Sequence, residues 1–179
     1  AQVVTVTDQL SPLLDISTLA LGPLGFNNTE VSVPGGVNSF AASAAVATDP
    51  NPVAISAALD PSARRVSWQM ASHDPSTGDL PDDPFAGFLP PNTSNHIGEG
   101  QVSFTIKPVP GLPTGTVISN LAVIVFDVNA PIDTPWAVNI IDATAPLSAV
   151  AALPASSGYR TFTVSWSGPD VGSGVASYD

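Results

Sequence analysis

Residues 98–142 read GEGQVSFTIKPVPGLPTGTVISNLAVIVFDVNAPIDTPWAVNIID. Two alternating runs flank a Gly/Pro turn, and an acidic, proline-broken loop follows. Val102, Phe104 and Ile106 alternate with Gln101, Ser103 and Thr105, so one side of a pleated strand is apolar and the other polar. The run 117–125 is the most apolar of the chain and is expected at the centre of a sheet. A further strand is expected over 136–141. This patterning predicts an all-β chain built as a β-sandwich.

The same signature extends upstream. Val4 and Val6 alternate with Thr5 and Thr7. Residues 13–21 carry Leu13, Leu14, Ile16, Leu19 and Leu21, which fits either a strand or a short helical turn. A short strand over 29–33 closes at a Pro-Gly-Gly turn. Residues 37–48 and 53–59 are expected to pair as a hairpin across TDPNP. Val66, Trp68 and Met70 alternate with Ser67, Gln69 and Ala71, which places Trp68 inward in a half-buried strand. No window of a dozen residues has a 3.6-residue period, so helix content should be low. Residues 73–98 hold five prolines and three glycines, which forbids regular structure. Phe85, Phe88 and Leu89 are expected to pack this long loop down.

The expected organisation is one sandwich over 1–142, then a linker and the first strands of an incomplete second β unit over 143–179. In that second unit residues 159–165 alternate, and Trp166 is expected in a core. The opening AQVVTVTDQL has no basic segment ahead of an apolar one and reads as a strand entered directly. The closing GSGVASYD also reads as a strand. Both ends suggest a piece of a multidomain protein.

Composition excludes several partners. Lys and Arg number 4 against 15 Asp and Glu, a net charge of −11. Nucleic acid needs a basic face to neutralise phosphate, and docking to anionic lipid needs the same. No window approaches the about 18 apolar residues of a membrane span. There is no cysteine, so disulfides and thiolate metal sites are ruled out. Hydrophobic residues make up 44% of the chain, ample for a core, while charged residues make up only 11%. An acidic, lysine-poor surface keeps an extracellular protein in solution and suits hard divalent cations.

Two acidic segments are candidate calcium sites. Asp74, Asp79, Asp82 and Asp83 crowd the long loop, though without the spacing of an EF-hand. Asp127 and Asn129 share a face if the strand before them continues, and Asp142 could add a third oxygen. The alternative is ordinary turn chemistry, in which Asp and Asn side chains bond nearby backbone. His73 and His96 bracket the long loop and could join a transition-metal site. Among the tryptophans, Trp136 follows a proline in a loop and is the candidate sugar-stacking surface. Lys107 is the single lysine; a cross-link to Asn120 or Asn129 would need a nearby acid. Glu30 and Glu99 are the two glutamates, and no motif pairs them for glycoside hydrolysis. No GxSxG elbow appears. Asn27-Asn28-Thr29 and Asn92-Thr93-Ser94 match glycosylation acceptors.

The run GLPTGTVISNLAVIVFDVNAPIDTPWAVNIID resembles a recurrent module of very large bacterial surface and secreted proteins. That module carries G-L-P-T-G-T, then I-x-N-x-A-x-I-V-F-D-x-N-x-P-I-x-T, then N-x-I-D. The resemblance includes VTVTDQLSPLLDIST, DPSTGDLPDDPFAGFLPPN and GEGQVSFTIKP, and so spans nearly all of 1–142. The tail VSWSGPDVGSGVASYD is similar to the opening of an immunoglobulin- or fibronectin-like domain. Leu121 and Ile140 stand where the module carries more polar residues, which implies a more buried or partner-covered surface. The resemblance implies an immunoglobulin-like (Ig-like) β-sandwich with a long Pro/Gly-rich loop, acting as a non-catalytic structural or adhesive unit of an extracellular protein, repeated or polymerised along a fibre. Its partners would be neighbouring domains or subunits, joined by strand exchange, or a surface glycan. The alternative is a calcium- or carbohydrate-binding accessory module of a secreted enzyme.

Overall fold

The computed structural model describes residues 1–47, 49–92, 96–156, 158, 160–170 and 172. All regular structure among them is β. The strands are β1 (Val3–Gln9), β2 (Leu14–Leu21), β3 (Leu24–Phe26), β4 (Thr29–Val31), β5 (Ser39–Val46), β6 (Asp49–Asp60), β7 (Arg65–Ser72) and β8 (Gly100–Gln101). They continue with β9 (Phe104–Pro108), β10 (Val117–Asn120), β11 (Ala122–Phe126), β12 (Ile132–Asp133), β13 (Ala137–Ile140), β14 (Ala149–Val150) and β15 (Trp166–Ser167).

The chain forms two compact units. One comprises Ala1–Val109 and Ser119–Ala137; the other comprises Pro110–Ile118 and Val138–Asp179. This differs from a division at residue 142, and hydrogen bonding explains why. Gly115 N donates to Ile141 O and Ile141 N to Thr116 O, both at 2.8 Å. Ala143 N donates to Thr114 Oγ1. The Gly/Pro segment is thereby bound to the residues around 141 and leaves the main sandwich.

The first unit is built on a six-stranded sheet in the order β12-β11-β1-β7-β6-β5. Its pairings are antiparallel, and their register sets Val6 opposite both Trp68 and Ile124, with Trp68 opposite Ala57. One face therefore collects Val4 and Val6 of β1, Val66, Trp68 and Met70 of β7, and Val53, Ile55 and Ala57 of β6, all buried. The Trp68 ring meets Phe104 of β9, centroids 5.9 Å apart, which joins this sheet to the β2–β9 pair. A third sheet has the order β4-β3-β8. In the turn after β6, Asp60 Oδ1 accepts from Ser62 N, Ser62 Oγ and Ala63 N. The turn read from Asp60-Pro-Ser-Ala-Arg64 thus forms by Asx capping.

Several local expectations are corrected. The apolar run 117–125 is not one central strand. It breaks at Leu121 into β10, which pairs with β13, and β11, which lies second from the edge of the large sheet. Residues 101–107 likewise divide into β8 and β9, and 13–21 is strand, not helix. Phe85 is 96% exposed, whereas Phe88 and Leu89 are buried as expected; Asp83 caps the Phe85 amide and turns that residue outward. Trp166 is 54% exposed: among the described residues its two-residue strand pairs with β14 alone. The alternating segment near 160 is not a strand until Trp166. Ile140 is 64% exposed within the single chain, so it is not buried there. Tyr159, the Thr93-Ser94 pair and all but Gly172 of the final 172–179 run lie outside the described residues.

Candidate functional site

The acidic residues are drawn into turns. Asp74 Oδ1 accepts from Ser76 N at 2.7 Å and Ser76 Oγ at 2.6 Å. These bonds, the hydroxyl first, hold its carboxyl below the ordinary range. The loop closes through Asp74 N donating to Asp79 O and Gly78 N donating to Asp74 O. Asp79 and Asp82 are exposed. Asp83 Oδ1 caps Phe85 N, and the carbonyls of Pro81 and Asp83 accept the Gln2 amide. Asp127 Oδ1 accepts from Gln2 N and Val3 N, both at 2.8 Å. Asn129 Nδ2 donates to Phe126 O, and Asp142, in the other unit, accepts from Thr144 N. Among the described residues no three His, Cys, Asp or Glu side chains gather as a metal would require. The two acidic segments are not brought together as one ligand set.

Asp127 has a structural task visible in its backbone. It sits at φ +51°, a left-handed conformation that Asp and Asn tolerate best among non-glycine residues. There its carboxylate ties the start of β1 to the end of β11. Asp127→Ala should cost about 1–2 kcal/mol, and Asp127→Asn, which keeps the Oδ1 acceptor, much less. Urea midpoints of the two variants check this; equal losses would count against the backbone bonds.

The other candidates are also placed. Lys107 is exposed, while Asn120 donates to Asp8 Oδ2 and Asn129 to a backbone carbonyl, so the proposed amide partners are engaged elsewhere. His73 Nδ1 bonds Gly78 O. His96 Nδ1 meets Glu99 Oε1 at 2.7 Å, and Asn92 Nδ2 donates to the same oxygen at 2.8 Å. The Glu99 hydrogen bond, then its charge, raises the His96 pKa; the His96 bond, then that of Asn92, lowers that of Glu99. Trp136 is 65% exposed.

The feature that sequence reading missed is a cleft beside this His–Glu pair. It has a volume of about 540 Å³ and lies wholly within the first unit. Its floor is the apolar row Ala122, Ile124 and Phe126 of β11 with Val4 and Val6 of β1. Register puts these on one face: Val4 opposite Phe126, Val6 opposite Ile124. Phe26, Phe88 and Leu89 form the far wall, and Glu99 and Gln101 bring polar groups to the lining. Phe26 and Phe88 pack edge to face, centroids 4.9 Å apart.

The cleft exists because one layer stops short. Among the described residues β8 is the edge strand of its sheet, bonded to β3 on one side only. Val4 and Val6 are buried, yet every residue of β11 beside them is only half-buried. An apolar inner row thus lies open beside a strand edge whose backbone groups on one side have no neighbouring strand. Such an edge is a template for another strand. Gly98 and Gly100 allow the chain to pass closely: a Cβ on Gly98 would lie 2.5 Å from Asn92 N.

A family model described as a domain of unknown function, DUF7619, matches residues 85–140. The matched segment runs from the long loop through β13 and so includes β8 and β11, which border the cleft. It is less than half of the chain and describes a similarity. No curated protein and no solved structure matches. No helix among the described residues is long and apolar enough to cross a membrane.

Proposed function

We propose that this chain is a non-catalytic structural module of an extracellular bacterial protein, and that it works by joining neighbouring domains or subunits. The observation that carries this reading is the half-covered apolar row of β11 beside the free edge of β8. An apolar face next to unpaired backbone is chemistry suited to another polypeptide strand, which supplies hydrogen bonds along the edge and side chains for the floor. The acidic, lysine-poor composition supports an extracellular setting. The resemblance to modules of large surface proteins points the same way.

An antibody to the chain should label intact cells of the source, and material sheared from them should sediment as an assembly. A signal that appears only after lysis, or sheared material that sediments as a single chain, would overturn the proposal.

A further inference from the structure

We propose that the cleft of the first unit accepts the segment 160–166 of a second copy of this chain, which adds a strand to the free edge of β8. The inference deepens the structural-module reading and rests on it, since strand exchange is the means by which such a module would hold its neighbour.

Three observations point to this occupant. The first is the pattern of the donor. Phe162, Val164 and Trp166 recur at every second residue and share one face once the segment is extended. All three are exposed, at 57%, 40% and 54%. Residues 160–165 are in no strand, and Trp166 lies in the two-residue ladder of β14 and β15, flanked by the bonds Ala151 N to Ser165 O and Leu147 N to Pro169 O. A strand former with three large apolar side chains in water and almost no ladder is a segment that gains by moving.

The second observation is the match to the acceptor. The β11 row also presents three inward residues at period two, Ala122, Ile124 and Phe126. A strand added at β8 would continue the β4-β3-β8 sheet across that row, and its own alternate side chains would close the layer. The backbone groups on the free side of β8 would acquire partners in the same step. Surrendering the two-residue ladder of β14 and β15 and its two flanking backbone bonds is a small loss against this.

The third is charge. Arg160 is one of only 4 basic residues in a chain of net charge −11, and by alternation it shares the face of Phe162 and Val164. The cleft lining carries Glu99, whose carboxyl is held ionised by His96 and Asn92. A donor with a cation at one end of an apolar row meets an acceptor with an apolar floor and an anion beside it. Such complementarity fixes register and suppresses wrong partners.

The absence of cysteine lets one introduced pair report one contact. A full-length chain carrying Val164→Cys is mixed with one carrying Val102→Cys, which lines the cleft, under mild oxidation. The expected product is a disulfide-linked heterodimer whose yield rises with concentration and exceeds that of either variant alone. Adding Phe162→Asp to the donor should lower the yield about tenfold or more, the equilibrium equivalent of losing one buried aromatic. Phe162 is exposed in the single chain, so circular dichroism of this variant should be unchanged.

Three outcomes would overturn the inference. One is a single-chain species at every concentration with no heterodimer. The second is preferential linkage of Val164→Cys chains to each other, which would place the contact in the second unit alone. The third is read from a chain carrying both substitutions: closure of its two cysteines within one chain under dilution would mean that the segment folds back on its own cleft. Cell-surface labelling can fail while the heterodimer forms, and the reverse, so failure of the module reading and of strand exchange are told apart.

Discussion

Trp68→Ala is expected to lower the stability of the first unit by about 3–5 kcal/mol, the range for removing a large buried aromatic. Trp68 is 2% exposed and lies on β7 near the middle of the six-stranded sheet. Its strand neighbours across the ladder are Val6 and Ala57, and its ring reaches Phe104 of β9. Removal therefore opens a cavity between the large sheet and the β2–β9 pair, where Val6 and Ala57 are too small to fill it. A domain has only about 5–15 kcal/mol to lose. The loss should appear as a large shift of the urea midpoint. Trp136→Ala and Trp166→Ala serve as controls, because both side chains are exposed and such substitutions usually change stability by less than about 0.5 kcal/mol. A loss below about 1 kcal/mol for Trp68→Ala would contradict the inward placement of this ring.

The second large effect concerns Asp8. It occupies the same inner row as Val4 and Val6 and is 3% exposed. Its Oδ2 accepts one bond, from Asn120 Nδ2 at 2.6 Å. Its Oδ1 and the Asn120 Oδ1 are both buried acceptors without a donor. Burial raises the Asp8 pKa, and the Asn120 bond offsets part of that rise. The native state thus holds a proton on this carboxyl more tightly than the unfolded chain does. The contribution to stability is full below the ordinary carboxylate value of about 3.9. It falls as pH rises through the raised native value. Asp8→Asn removes the charge and turns one of the two orphaned acceptors into an amide that can donate to the other, Asn120 Oδ1. Near neutral pH it should stabilise the protein by about 1–2 kcal/mol, and the gain should shrink toward about pH 4.

The comparison of the two proteins isolates Asp8. Asp15, Asp60 and Asp74 are held below the ordinary range, mainly by the hydroxyls of Ser17, Ser62 and Ser76. Their stabilisation is present above that range and lost as pH falls, the opposite sign, and it is common to both proteins. Self-repulsion within the acidic chain is also shared in large part. Melting temperatures of wild type and variant across this pH range decide the matter: a constant difference would show that Asp8 is not the titrating group.

Much of the fold was legible because a strand announces itself locally. The alternation of Val66, Trp68 and Met70 and the turn at Asp60 each depend on neighbours within a few residues and form as read. The hairpin over 37–59 also forms, but 49–52 of the expected TDPNP turn are already strand β6, with Val46 opposite Asp49. The turn reading of Asn129 was equally local, since it bonds Phe126 O, whereas Asp127 caps Gln2 and Val3 on a distant strand. The errors lie where distant partners decide. Leu121 looks continuous with its neighbours, yet the strand breaks there because β10 and β11 join different sheets. Trp166 has the same alternating context as Trp68, but among the described residues its strand has a single partner and its ring is left exposed.

The cleft was harder still to foresee. Ala122, Ile124 and Phe126 read as ordinary core residues, and nothing in their spacing tells that the facing sheet ends at β8. Gly98 and Gly100 on either side of Glu99 are the one local sign, since they mark a place where backbones approach closely.

By itself the sequence determined that this protein is made of strands, where many of them turn, and that its surface is acidic, because period-two patterning, Pro/Gly punctuation and charge are properties of short stretches. Only the tertiary structure decided which strands are neighbours, which tryptophan is covered and where a layer is left unfinished. Burial is a relation between residues far apart in the chain: β1 is bounded by β7 and β11, more than fifty residues from either, and no local pattern records which of its faces will be closed.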